Sequence, residues 1–335
     1  MSAENNREPL GSADVERILI PDVMPLDAQF GVYPLRDVPA ALETAIFDGS
    51  AHTYVVVDGA TLKGFQGVET TGLANTESLF DAEGAEASGV AAPFLVEVKR
   101  GSRFLRELFT EGDAPWQRFG EATFVLLRSS AEFGEVRRHL RRFTKLLDDE
   151  GRWFYLRFYE PKLLTALLDG FAGDPARLSR WFDMLGDTRI DAWFAMDGQE
   201  RTATIFHPRP GPVPISAPIR LDASYQRVLE EMQMQGLIAR IHSALSDEIG
   251  LPNGTDPERE DRMTRDAIAF AQRCGMRSER ALAHVAGVAH LRGAPLTERD
   301  LQSIPWFTDP GIHPNARARH LFETLRSQAR SAWPI

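Results

Sequence analysis

Two hydrophobic periodicities divide this chain. Between residues 54 and 206, short apolar runs rich in β-branched and aromatic residues recur between turn-forming residues. Beyond residue 225 only the three- and four-residue spacing of buried helix faces remains. The first pattern predicts strands at 54–57, 94–98, 124–127 and 153–159. It also predicts a hairpin of 192–196 and 202–206, joined by a turn containing Gly198. Helical spacing falls at 39–47, 105–109, 161–170 and 178–184, and most clearly at 131–147. There Phe133, Val136, Leu140, Phe143, Leu146 and Leu147 form one buried stripe. Ser130 ahead of Glu132 and Glu135 suits that helix's start, and the contiguous Asp148, Asp149, Glu150 and Gly151 suit its end in water.

The second pattern predicts helices at 225–245, 258–274, 278–291, 297–302 and 315–327. Between the two patterns lie Pro208, Pro210, Pro212, Pro214 and Pro218, whose fixed φ and missing N–H groups exclude helix and sheet interiors. The expectation is an α+β protein with an N-terminal mixed-sheet α/β lobe followed by a C-terminal all-helical lobe. Its parts are a flexible arm at 1–30, the α/β lobe at 31–207, a Pro-rich linker at 208–218 and the helical lobe at 219–335. Residues 70–89, rich in Gly, Ala, Ser and acidic side chains, read as a surface loop.

Composition narrows the function. With 335 residues, of which 43% are hydrophobic, the chain can build two cores. Its 38 basic and 48 acidic residues leave a net charge of −10, which disfavours broad attraction to nucleic acid or to an anionic membrane. The single cysteine, Cys274, excludes an internal disulfide or a cysteine-based zinc site and suits a reducing compartment. No apolar run reaches the roughly 18 residues needed to cross a bilayer, and residues 1–10 lack the basic and apolar stretches of a secretory signal. A cytoplasmic protein is expected.

Catalytic patterns are absent. There is no phosphate-cradling Gly-rich loop with its lysine, no Gly-x-Ser-x-Gly elbow and no paired histidines flanking a glutamate. His284 and His290 share one helix as ordinary helix positions, and His313 and His320, seven residues apart, could share a helical face but lack a recognisable third ligand. The chain therefore reads as a non-enzyme without cofactor or metal. One feature stands out: Arg137, Arg138, Arg141, Arg142 and Lys145 gather on the side of the 131–147 helix away from its apolar stripe. Such a face is either an ordinary solvated surface with cations near a helix C-terminus, or a site for acidic protein or phosphate.

Three blocks carry a resemblance: YVVVDGA at 54–60, APFLVEV at 92–98, and the stretch 123–161 containing FVLLRSS, RRHLRRFTK and DDEGRWFYLRFYEP. Together they resemble a family of bacterial type VI secretion chaperones and adaptors, catalogued as a domain of unknown function. Glu160 stands where that family often has aspartate. The resemblance implies a cytoplasmic adaptor that holds a cognate effector protein and promotes its loading onto the VgrG spike protein, with no nucleic-acid or membrane partner. Partner-binding candidates are Arg137, Arg138, Arg141 and Arg142 on the helix, and Arg157, Tyr159 and Glu160 at the RFYEP turn, where Tyr159 is either a rim anchor, with Arg157 pairing with Glu160 or a partner carboxylate, or an ordinary buried aromatic at a strand end. Two rivals stay open: a hydrolase or transferase whose site is scattered in sequence, and a nucleic-acid binder using the arginine face.

Overall fold

The computed structural model describes residues 15–61, 75–80, 92–114, 116–121, 124–184, 188–209, 219–250 and 256–332. Residues 1–14 of the expected arm, most of the 70–89 loop and positions 210–218 of the Pro-rich segment lie outside the described residues. The architecture is α+β, with strands in the N-terminal part and helices dominating the C-terminal part. The chain divides into two compact units, Met1–Leu229 and Glu230–Ile335, so the division falls after the proline cluster.

The first unit is built on strands β1 (Val15–Ile20), β2 (His52–Asp58), β3 (Thr76–Ser78), β4 (Pro93–Val98), β5 (Phe124–Ser129), β8 (Ile190–Asp197) and β9 (Thr202–Pro208). They form one seven-stranded sheet in the order β1-β9-β8-β5-β2-β4-β3. Every pairing in it is antiparallel, which corrects the expectation of a mixed sheet. That expectation rested on residues 153–159 returning to the sheet as a strand after the 131–147 helix. Instead, Trp153–Tyr155 (β7) pairs with Lys145–Leu147 (β6) in a separate two-stranded ribbon, turned by Gly151 at φ +80°. The helix α3 (Phe133–Thr144) accordingly ends three residues early. Leu146 is buried all the same, so its apolar character satisfied the helical spacing and the extended one alike.

The sheet's central strands are buried on both faces, as the VVV run of β2 requires. Val55 and Val57 point into a core shared with Leu126, Phe194 and Ile205 and with helices α1 (Ala40–Phe47) and α2 (Arg103–Phe109). On the other face Tyr54 donates its hydroxyl to the Ala131 carbonyl at 2.7 Å and packs its ring on Phe133 of α3. Helices α4 (Pro161–Gly170) and α5 (Pro175–Phe182) complete this layer. Phe143 of α3 stacks on Trp181 of α5 with ring centres 4.2 Å apart, Phe158 and Trp193 pack edge-on around them, and the Trp193 indole N–H donates to the Trp181 carbonyl at 3.2 Å.

Residues 15–20, expected in a flexible arm, form β1, the sheet's edge. Arg17 faces Phe206 in the register with β9, and Leu19 remains largely exposed. The predicted hairpin of β8 and β9 is present, its turn held by Asp197 Oδ1, which accepts from the N–H groups of Gln199 and Glu200.

The second unit is helical. It contains most of α6 (Ala223–Ile249), then α7 (Pro257–Arg273), α8 (Glu279–Arg292), α9 (Glu298–Ser303), a short 3-10 turn (Pro305–Thr308) and α10 (Pro314–Ala332). Asp256 and Ser278 cap α7 and α8 through their side chains, and Gly293 closes α8 in the left-handed conformation. Ile238, Ile241, Leu245, Phe270, Val285 and Phe322 are among its core residues. Gly287 lets α8 and α10 approach closely, because a Cβ there would meet the ring of Phe322.

Candidate functional site

The arginine-bearing side of α3 forms one wall of a groove of about 540 Å³ in the first unit. Positions 138, 141 and 142 follow helical spacing, so Arg138, Arg141 and Arg142 enter the groove together while Val136, Leu140 and Phe143 hold the helix to the sheet. The ribbon supplies Lys145, Leu147 and Trp153. Leu79 and Phe80, just beyond β3, add apolar surface, as does Ile219. Arg220 adds a fifth cation; its segment is tied to the ribbon by a parallel bridge to Leu147 and by the Leu221 N–H donating to the Leu147 carbonyl at 3.0 Å.

The groove thus combines cationic and apolar lining. Among the described residues, five basic side chains and no carboxylate line it. Burial, and secondarily the neighbouring Arg180, push the Arg142 guanidinium below the usual arginine range. Trp153, Phe154 and Tyr155 on β7 are 65%, 41% and 57% exposed, and the Lys145 ammonium lies 5.5 Å from the Tyr155 ring centre. Three consecutive aromatic residues left in water beside a row of cations make a surface suited to an acidic, partly apolar protein segment.

Arg137 departs from the group. Its Nε donates to the Ser78 carbonyl at 2.9 Å and lies 3.1 Å from Glu77 Oε2, so it fastens α3 to the short edge strand β3. The RFYEP turn also serves the scaffold. Arg157 Nη2 donates to Asp58 Oδ2 at 2.6 Å and Nε pairs with Glu160 Oε1 at 2.9 Å, while Asp58 Oδ1 accepts the Ala60 N–H. Asp58 belongs to the YVVVDGA block, so this clamp joins two of the blocks that carry the resemblance, linking the end of β2 to the residue preceding α4. Tyr159, a candidate rim anchor, is only 5% exposed; burial, and then Asp58, push its phenol up to about 12. Replacing Arg157 by alanine leaves a buried carboxylate without its cation. Because the arginine itself is half-exposed, the expected loss is about 1–3 kcal/mol, seen as a lower urea midpoint, with lysine giving an intermediate value.

His139 lies on the buried side of α3, against Phe143. Burial, and secondarily Arg142, push its imidazole down to about 4. The unfolded chain takes up this proton near pH 6.5 and the folded chain only near 4. The stability contributed by the neutral ring is therefore complete above 6.5 and is lost as pH falls towards 4, by up to about 3 kcal/mol. The measurement is urea unfolding between pH 7 and about pH 5: His139→Leu should lose less stability than the unaltered protein, and equal losses would refute the assignment.

In the second unit Thr264 Oγ1 lies 2.8 Å from both His242 Nε2 and His290 Nε2, with Asp261 3.7 Å from His242 Nδ1. This looks like a proton relay, but Thr264 is fully buried, so no substrate reaches its hydroxyl in this arrangement. Burial, and then His242, push His290 down to about 4. Among the described residues no group of three or more His, Cys, Asp or Glu side chains is placed to hold a metal ion, and no helix is long and apolar enough to cross a membrane.

Of the seven sequence candidates, then, Arg138, Arg141 and Arg142 meet in one groove, Arg137 sits beside it on β3, and Arg157, Tyr159 and Glu160 form a separate clamp. Trp153, Arg220 and Ile219 were not among the candidates, since the Leu147 to Arg220 bridge that gathers them crosses more than seventy positions of sequence. No curated protein and no solved structure matches the chain. Residues 53–178, which contain β2, α3, the ribbon and the clamp, match the family model for a domain of unknown function, DUF4123.

Proposed function

We propose that this protein is an adaptor that binds a cognate type VI secretion effector in the cytoplasm and promotes its loading onto the VgrG spike, and that it catalyses no reaction. The observation that carries this reading is the groove: Arg138, Arg141, Arg142, Lys145 and Arg220 among apolar lining residues, with the exposed Trp153 and, on the same ribbon strand, Tyr155. Its combination of dense positive charge and unburied aromatic area suits a protein ligand, in which a few aromatic and arginine contacts supply most of the binding energy. The resemblance of the YVVVDGA and RFYEP blocks to type VI secretion adaptors supports the secretion context, and the match over residues 53–178 to a domain of unknown function is compatible with it.

The test is affinity capture of the tagged full-length protein from cells that express the secretion apparatus, with mass spectrometry after a moderate salt wash. Recovery of a spike protein or of a toxin-like cargo supports the proposal. Recovery of neither overturns it and turns attention to enzymatic activity.

A further inference from the structure

We propose that the second unit binds a phosphate-type oxyanion, as the free ion or as a small phosphate monoester, in the pocket where the first turns of α8 and α10 meet. The cavity measures about 310 Å³, the size of a small ligand site. Arg280 and His284 enter it from α8, and His313, Asn315 and Arg319 from the start of α10.

Three features make this pocket a match for a dianion. Both helices present their N-terminal ends to it. Their first turns are lined by Ala281 and Ala316, whose N–H groups already donate to Ser278 Oγ at 3.3 Å and to the His313 carbonyl at 2.9 Å, so what the two helix ends add is the N-terminal partial positive charge of a 14-residue and a 19-residue helix. Arg280 and Arg319 are exposed side chains on opposite walls, able to supply two planar donor forks. The carboxylates nearby are already paired, Glu248, which acts on His284, with Arg326 Nη1 at 3.1 Å. Glu279 is held away by Arg240, which binds it through Nε and Nη2 at 3.0–3.2 Å. Glu323 lies 3.8 Å from Arg319 in an exposed pair of the kind that contributes little.

His284 supplies the independent observation. It lines the pocket but is only 6% exposed, its ring stacks on Phe322 with centres 5.2 Å apart, and its buried Nδ1 has no hydrogen-bond partner. A buried nitrogen left unpaired carries a free-energy cost that an acceptor bound against it would remove. Burial holds this imidazole below its ordinary value, so it stays neutral at pH 7 and offers one N–H donor. Asn315, whose Oδ1 accepts from Ser278 Oγ at 2.7 Å, offers its amide N–H2 group. Two guanidiniums, an imidazole and an amide approach from different sides, a set that suits four tetrahedral oxygens better than the two coplanar oxygens of a carboxylate.

The experiment titrates the full-length protein, with histidine rings isotopically labelled, against inorganic phosphate, methyl phosphate and acetate at constant ionic strength. The expected result is a saturable shift of the His284 and His313 signals with phosphate, methyl phosphate or both, little response to acetate, and a rise in the unfolding midpoint at saturation. Methyl phosphate binding at least as tightly as phosphate identifies an esterified ligand; binding of phosphate alone identifies the free ion. The variant R280Q/R319Q should lose at least tenfold in affinity. Its unchanged His242 and His290 signals would report an intact fold. Absence of a saturable shift, an equal response to acetate, or full binding by the variant would overturn the proposal. None of these readouts involves effector capture, so this site and the adaptor reading fail independently.

Discussion

Replacing Arg138 and Arg141 together by glutamate should reduce binding of the captured partner at least a hundredfold while leaving the protein folded. The substitution swings the groove by four charges at positions on the side of α3 away from its buried stripe. It sets like charges against an acidic ligand, which costs several kcal/mol in a desolvated interface, and about 2.7 kcal/mol already equals a hundredfold. Isothermal titration of the purified pair gives the affinity, and circular dichroism gives the fold. Undiminished binding by the folded variant would remove this groove from the proposed binding surface. Affinity for the unaltered protein should also fall as salt rises, because exposed charges are screened over about 10 Å at 0.1 M ionic strength.

Truncating Trp181 to alanine should cost about 3–5 kcal/mol in the first unit, the range for removing a fully buried tryptophan. The ring touches Phe143 of α3, Phe158 at the clamp and Trp193 of β8, so its loss opens a cavity where the helix layer meets the sheet. Trp153→Ala gives the contrast: that side chain is 65% exposed, and its removal should move stability by less than about 0.5 kcal/mol while weakening partner binding. Urea unfolding of both variants separates the two kinds of tryptophan. Equal stabilities would mean that the aromatic cluster does not hold the layers together.

These two residues also mark how far the sequence could be read. Strands β2, β5, β8 and β9 and helix α3 were legible because local pattern suffices where a segment is buried on both faces or along a single stripe. The C-terminal helices were legible for the same reason, reinforced by capping residues such as Asp256 and Ser278. Strand β1 was missed because VERILI carries no strict alternation, and its place depends on pairing with β9, nearly two hundred residues away. The WFYLRFY stretch read as a buried strand because aromatic density alone does not tell a core strand from an exposed ribbon; Gly151 and the pairing with β6 decide it. Tyr159 was a candidate for a rim because its neighbours Arg157 and Glu160 are charged, yet those charges are consumed by Asp58 and by one another. The groove was half legible: the arginines announced themselves on one helix, whereas Arg220, Ile219, Leu79 and Phe80 arrive through tertiary pairing.

Helix α3 places its two duties on opposite sides of one short rod. Phe133, Val136, His139, Leu140 and Phe143 answer to the interior, while Arg138, Arg141 and Arg142 answer to whatever occupies the groove. Arg137 and Arg142 still touch the scaffold, through β3 and His139, but the exposed Arg138 does not enter the buried stripe, so under the proposed adaptor reading drift at that position can retune the groove with little stability to repair afterwards. A scaffold so divided is free to diversify with its partners, one arginine at a time.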